Sequence, residues 1–370
     1  MKILFLLNNL GVGGAERQTI SLLNNLPRGA ADITLGYLKD NSALGETVDP
    51  TRVRRIVCFD KSKRVDFMML HRLAAFLELE RFDIVVCVEE HPLFYVLLAR
   101  LAAPARIIVI LHRGTPPDRY ERMKRVFYRQ LIRLCDTVVF VCRYQRELWL
   151  GSNQPPSGKY IYIHNGIDTA LFDSQSPPSG EALTRKSLGI AEEDFVVGVC
   201  AAMRKEKNHL ELILALKAMR QHGVPAVLVA IGDGPEREAI LSAAAAHGVR
   251  DQVHITGFLR HVAPAIAMCD CMALTSSSGE AFSLSILESM AMGKLVVASE
   301  VGGVREQITH GVEGYIYAPG NVADLVKRLE SVWRSDSSQA MGELARSKVR
   351  DCFGVERMVR RYSQLLGIAD

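Results

Sequence analysis

The chain has 370 residues, 48% of them hydrophobic and 23% charged, with a net charge of +4. That length and apolar content suffice for two packed cores and exclude a disordered or low-complexity chain. No apolar run reaches the roughly 18 residues of a membrane span, and the opening MKILFLLNNLGVGG ends in glycines rather than a cleavage site, so a cytoplasmic protein is expected.

Residues 1–175 hold 24 Lys and Arg against 18 Asp and Glu, whereas residues 176–370 hold 21 against 23. The first half is therefore the one expected to meet an anionic partner, and no nucleic-acid partner is expected. The eight cysteines are scattered without a CxxC pair or zinc-finger spacing, and Cys269 and Cys271 merely straddle one Asp. They read as buried thiols of a reducing compartment.

In chain order, KILFLLNNL (2–10) is a continuous apolar run of strand length, Gly11, Gly13 and Gly14 form a turn, and AERQTISLLNNL has helical spacing at Ile20, Leu22, Leu23 and Leu26. Further buried-strand candidates are DITLGYL (32–38), FDIVVCV (82–88), ARIIVIL (105–111), DTVVFVC (136–142) and YIYIH (160–164), mostly separated by helical segments. The polar DSQSPPSGE (173–181) reads as a linker, after which FVVGVCA (195–201), AVLVAIG (226–232), QVHITG (252–257), CMALT (271–275) and KLVVAS (294–299) open a second series. The expected fold is therefore α/β, two doubly wound parallel units in tandem, spanning 1–175 and 176–354. Ligands of such sheets gather at the carboxyl ends of the strands, so a cleft between the two units is the expected site. The last segment, VERMVRRYSQLLG (355–367), has an apolar face at Met358, Tyr362, Leu365 and Leu366 and is expected to pack back on the first unit.

Polar residues at those strand ends carry the chemistry. GVGGAE resembles a dinucleotide fingerprint but has Glu16 in place of the third glycine; Gly13 and Gly14 still let backbone approach a ligand, at a helix start that offers amides to an anion. LHRG puts His112 and Arg113 after a central strand, and His91 follows Glu89 and Glu90. RKEKNH (204–209) places Arg204, Lys205 and Lys207 after another strand. With no Asp-x-Asp pair or other divalent-ion motif, a diphosphate would be met by Arg204, Lys207 and helix amides, and neither metal nor cofactor is expected. GDGPERE (232–238) is a turn whose Gly232 and Gly234 could admit a base or phosphate. In GEAFSLSILESMAMG (279–293), the helix from about 283 to 292 is largely apolar, Glu280 precedes it, and Glu288 lies within it among Leu284, Leu287, Met290 and Ala291. A polar group buried there without a partner costs about 2–7 kcal/mol, so Glu288 must face a cleft or a hydrogen-bonding partner. Taken alone, the two acids are more simply read as what a helix N-terminus and one exposed position would carry.

Taken together and in order, GGAER, His112, IHNGID (163–168), RKEKNH, GDGPERE, ITGF, the pair Glu280 and Glu288, and VGGVRE (301–306) resemble the retaining nucleotide-sugar glycosyltransferases of family 4, with the two-Rossmann-domain GT-B architecture. The resemblance covers almost the whole chain. It implies that Glu288 holds the ribose hydroxyls and Glu280 those of the donor sugar. Lys207 and a nearby Arg would bind the diphosphate, with amides contributed around Ala281, Phe282, Ser283 and Leu284. Gly14 would approach the phosphate, and His112 would line the pocket of the acceptor and donor sugar. It further implies metal-independent transfer with retention, by front-face attack, from a nucleotide sugar, UDP-linked by family habit. The acceptor would be a glycan or lipid-linked hydroxyl in cell-surface polysaccharide or lipopolysaccharide synthesis. Three departures stand out: Ala202 occupies the position, five before the Lys, where an Arg is frequent, so that Arg204 would substitute; Ala281 replaces a frequent Gly; and Lys294 stands where Pro is usual. A nucleotide-sugar epimerase and a non-catalytic nucleotide-sugar binding protein are the competing readings, while the broken fingerprint disfavours a nicotinamide dehydrogenase.

RYERMKRVFYRQLIRL (119–134) interleaves Arg119, Arg122, Lys124, Arg125, Arg129 and Arg133 with Val126, Phe127, Leu131 and Ile132, the pattern of a basic helix on an anionic membrane surface and equally of a solvated one. Peripheral attachment to the inner face of the membrane would follow from the first reading. Co-sedimentation with anionic liposomes at low salt is the expected outcome; absence of binding under those conditions sinks it.

Overall fold

The computed structural model describes all residues except 64–65, 101–103, 115–118, 152–157, 173–182, 336 and 369–370, together with the side chains of 119–122 and 124–125. The linker expected at 173–181 and the first basic side chains of the helix expected at 119–134 lie outside the described residues. Two compact units divide the chain, residues 1–166 with 355–370, and residues 167–354.

The first unit opens with β1 (Lys2–Leu7), α1 (Gly14–Asn25), β2 (Asp32–Tyr37), β3 (Arg55–Cys58) and α2 (Phe67–Glu80). It continues through β4 (Ile84–Val88), α3 (Glu90–Ala99), β5 (Arg106–Leu111), α4 (Arg119–Ile132), β6 (Thr137–Phe140), α5 (Arg143–Leu150) and β7 (Tyr160–Tyr162). Its sheet is parallel throughout, in the order β3-β2-β1-β4-β5-β6-β7. Alternate side chains of each strand enter opposite cores, as a pleat requires. Ile3, Phe5 and Leu7 join one core with Ile84, Val86 and Val88. Leu4 and Leu6 join the other with Val85 and Cys87. Burial on both faces is why these strands read as unbroken apolar runs. β3 has no such run, since its four residues lie at the sheet edge and are mostly exposed, and the sequence pattern passes over it.

The second unit contains β8 (Phe195–Cys200), α6 (His209–Gln221), β9 (Ala226–Ile231), α7 (Arg237–Ala246), β10 (Val253–Gly257), α8 (Ala263–Ala267) and β11 (Cys271–Leu274). It closes with α9 (Leu284–Ala291), β12 (Leu295–Ser299), α10 (Val304–Gln307), β13 (Gly314–Tyr317), α11 (Val322–Trp333) and α12 (Ser338–Phe353). The sheet is again parallel, ordered β10-β9-β8-β11-β12-β13. In both sheets the first strand of the unit is central, and the strand order reverses beside it. Such a switch point leaves the loops after two adjacent strands diverging, which opens a crevice at their carboxyl ends.

The last helix, α13 (Val355–Leu366), belongs to the first unit. Met358, Val359, Tyr362 and Leu366 enter the core beside Ile20 and Leu23 of α1. Gln18 seals the junction, its Nε2 donating to the Gly166 carbonyl at 2.9 Å. The boundary lies at 166/167 rather than at 175/176, because Ile167 already bridges to Gly354 and its amide donates to Phe353, while the turn Thr169–Phe172 packs on α9.

Candidate active site

At the switch point of the second unit, the loops after β8 (201–208) and β11 (275–283) rise side by side from adjacent strands. The first is shaped by the turn after β9. Gly232 and Gly234 adopt φ of 142° and 157°, and a Cβ on either would strike the backbone of Ala201 or Met203, lying 2.9 Å from Met203 N in the case of Gly234. The Met203 amide donates to the Asp233 carbonyl at 2.9 Å, and Glu236 N donates to Met203 O at 3.0 Å. The close approach that these glycines permit is to the chain itself, and its effect is to hold the segment bearing Arg204 and Lys207. That segment makes a single 3-10 turn, Lys205–Lys207, and turns into α6 through Asn208 in the left-handed region at φ 51°.

Lys207 Nζ forms an ion pair with Glu280 Oε1, and Ser276 Oγ donates to the same oxygen at 2.8 Å. Thr275 Oγ1 donates to Lys207 O at 2.9 Å, and Ser277 N donates to Glu206 O at 2.8 Å. The two loops are thus joined by side chains at one level and by backbone at the next. Glu280 is 8% exposed, so loss of either partner would strand a desolvated charge and be costly. Arg204, three residues before Lys207, is exposed.

The VGG turn holds the other side of Glu280. Gly302 sits at φ 66°, where a Cβ would lie 2.9 Å from the Glu280 carbonyl carbon, and Gly303 N donates to Ala281 O at 2.7 Å. Gln307, wholly buried, donates through Nε2 to Ser283 O at 2.7 Å and accepts from Ser283 N at 3.2 Å. Of the amides expected to face a phosphate, that of Ser283 is therefore already committed; the free N-terminal amides of α9 begin at Leu284. Gln307 lies one residue beyond the VGGVRE motif, and nothing in the sequence pattern singles it out. Ala281 and Phe282 are buried, the Phe282 ring standing edge-on to Phe353 at 5.3 Å. Glu288 is 1% exposed in a helix whose residues 286–291 are all buried. Lys294 is bound to structure, its Nζ donating to the carbonyls of Ala267 and Cys269 at 2.7 and 2.6 Å.

The remaining expected residues belong to the first unit. Gly13 caps α1 from an extended conformation, and the Glu16 carboxylate folds back against it, so an acid of the first turn already occupies the helix start. Gly14 has nothing within 4 Å of where a Cβ would stand and leaves room for a ligand. His112 follows β5; its amide donates to Glu89 Oε1 at 3.0 Å, and burial depresses its imidazole pKa to about 4, so the ring is neutral at pH 7. Among the described residues no group of three or more His, Cys, Asp or Glu is arranged to hold a metal ion.

The family description "Glycosyl transferases group 1" matches residues 181–348, and "Glycosyltransferase Family 4" matches residues 12–171. N-acetyl-alpha-D-glucosaminyl L-malate synthase of Bacillus anthracis is 31% identical over 204 residues, 55% of this chain and 52% of that protein. A GDP-mannose-dependent phosphatidylinositol monomannoside mannosyltransferase of Mycobacterium tuberculosis is 29% identical over 262 residues, 68% of this chain and 66% of that protein. The chain thus spans about half the length of the first of these relatives. Among solved structures, Anabaena HepE with UDP-glucose superposes with a TM-score of 0.86 at 22% identity over 99% of both chains. Sucrose-phosphate synthase of Thermosynechococcus elongatus does so with 0.81 at 16%, over 99% of this chain and 98% of that one. Both share the fold of two parallel-sheet Rossmann-like domains that defines GT-B.

The Lys207–Glu280 pair is open to a double-mutant cycle. Lys207→Met and Glu280→Gln are each expected to destabilise the second unit, and the double variant to recover about 1–3 kcal/mol of their sum in urea unfolding. Additive effects would show that the pair does not join the two loops.

Proposed function

The chain belongs to the family 4 glycosyltransferases of GT-B architecture, and from that premise we propose that it transfers a sugar from a nucleotide diphosphate sugar to an acceptor hydroxyl. The observation that carries this reading is the Lys207–Glu280 pair at the crevice of the second sheet, held in place from three sides. An ammonium group has three N–H donors, so Lys207 can keep Glu280 and still donate to a phosphate oxygen. The exposed guanidinium of Arg204 supplies a second, bidentate donor for the diphosphate, and the amides of Leu284 and its successors add the helix N-terminus. Glu280, fixed through one oxygen by Lys207 and Ser276, offers its other oxygen to hydroxyls of the donor sugar. Glu288 is the residue to which the family pattern gives the ribose.

The reaction in this reading keeps the anomeric configuration. The acceptor hydroxyl attacks from the face that the diphosphate leaves, and the departing phosphate takes its proton. Lys207 and Arg204 stabilise the charge growing on that phosphate, which is the electrostatic contribution asked of the protein. No side chain need act as nucleophile and no metal is called for. UDP is the favoured carrier, since UDP and UDP-glucose are bound in the similar Anabaena structures, although the mycobacterial relative is named for GDP-mannose. The acceptor is not transferable from relatives, whose names range from L-malate to a phosphatidylinositol monomannoside and 2-deoxystreptamine. A glycan or lipid-linked acceptor in polysaccharide or lipopolysaccharide synthesis suits the family. Attachment to an anionic membrane would use α4, where Met123, Val126 and Phe127 are exposed.

A thermal-shift panel of nucleotide sugars tests the reading. A ligand at a hundred times its dissociation constant adds about 2.7 kcal/mol of stability, and one UDP-sugar is expected to do so, with the shift abolished by Glu288→Ala. No shift with any uridine, guanosine or adenosine diphosphate sugar contradicts it.

A further inference from the structure

The first unit carries a second cluster of charged and titratable side chains, at the carboxyl edge of its own sheet. Lys39 follows β2, Lys61 follows β3, His91 opens α3 after β4, and His112 and Arg113 follow β5. The sheet order brings these strand ends together around the switch point beside β1. Lys61 is only 7% exposed; its ammonium stands 5.7 Å over the ring of Tyr95, and the His91 ring meets the same Tyr95 edge-on at 5.3 Å. Glu89, held at φ 75°, anchors the other side, accepting the His112 amide at 3.0 Å and lying 3.9 Å from Arg113 Nε.

The charges are unevenly satisfied. Neither Lys39 nor Lys61 has an ion pair within 4.0 Å among the described residues. Asp66, whose charge favours the Lys61 ammonium from a distance, accepts from the amides of Met69 and Ser62 at 3.0 Å and from the Ser62 hydroxyl at 3.2 Å, so its carboxylate is tied to the start of α2 rather than to Lys61. Glu89 is driven toward its neutral acid by burial and then by the neighbouring Glu90. His91 and His112 are both held near a pKa of about 4, His91 first by burial and then by Lys61, Lys39 and Arg113, and are neutral at pH 7. Moreover, His91 Nδ1 is buried without a hydrogen-bond partner among the described residues. A half-buried imidazole that feels three cations, two of them without an ion pair among the described residues, is an arrangement that an external anion would complete.

We propose that this cluster is an anion-binding acceptor subsite: the hydroxyl compound that receives the sugar carries a carboxylate or phosphate group, which Lys61 and Lys39 hold, with His91 hydrogen-bonding beside them. The proposal rests on the transferase reading above and adds the charge of the acceptor. Lys61 sets specificity in two ways. Its buried stem packs on Tyr95 and fixes the ammonium in place, and a neutral acceptor leaves it desolvated with nothing to offset the cost. A donor diphosphate is the other source of an anion here, so the test must fill the donor site first.

Calorimetric titration of sn-glycerol 3-phosphate into the full chain saturated with UDP separates the two sources. Glycerol 3-phosphate is expected to bind at least about tenfold more tightly than glycerol. Lys61→Gln should remove about that factor, and the exposed Lys39→Gln a smaller one, while both variants retain wild-type affinity for UDP. Equal binding of glycerol and glycerol 3-phosphate, or undiminished binding by the Lys39→Gln/Lys61→Gln double variant, overturns the proposal. Displacement of glycerol 3-phosphate by UDP overturns it as well, since the anion then belongs to the donor. Failure of UDP itself to bind sinks the transferase reading, and glycerol 3-phosphate titrated into the UDP-free Lys207→Met variant then judges the cluster by itself.

Discussion

A lysine and a glutamate 73 residues apart, Lys207 and Glu280, meet in the second unit in a largely buried ion pair. Such a pair forms only if the backbone delivers both groups to one point, because desolvating either charge without its partner costs several kcal/mol. Two turns and one helix-borne side chain serve that delivery. The Gly232–Gly234 turn presses on the β8 loop, the Gly302 turn presses on Glu280 itself, and Gln307 clamps Ser283 by both backbone groups. The rest of the site is a consequence: once Glu280 is fixed, the start of α9 and the exposed Arg204 stand beside the same crevice.

Glycines therefore act here in two distinct ways. At Gly232, Gly234 and Gly302 positive φ and the absence of a Cβ let one segment of the chain lie on another. At Gly14 the same absence leaves open space. The sequence pattern cannot tell these apart, because both look like Gly-rich turns at strand ends. Gly13 falls between them, with its helix start already met by Glu16.

Much of the architecture was legible in the residues. Strands buried on both faces announce themselves as apolar runs, and the face of α13 pointed to a core outside its own stretch of chain. The positions of Lys207, Glu280 and Glu288 followed from where the polar residues interrupt that pattern. What stayed hidden depends on tertiary contact. β3 is short and exposed; that Lys207 and Glu280 bind one another requires the sheet order; and the commitment of the Ser283 amide depends on Gln307, 24 residues later. Lys61 is the clearest instance. In sequence it is one of several basic residues in an unremarkable loop, and only the fold buries it on Tyr95 beside His91.

The central claim is that Lys207, poised by Glu280, is the cation for a nucleotide's diphosphate. Calorimetry of UDP against uridine measures that contribution directly. The account predicts that UDP binds at least about a hundredfold more tightly than uridine, and that Lys207→Met erases most of the difference while leaving uridine affinity unchanged. Equal affinities for UDP and uridine in the unaltered protein, or a difference that survives Lys207→Met intact, would contradict it.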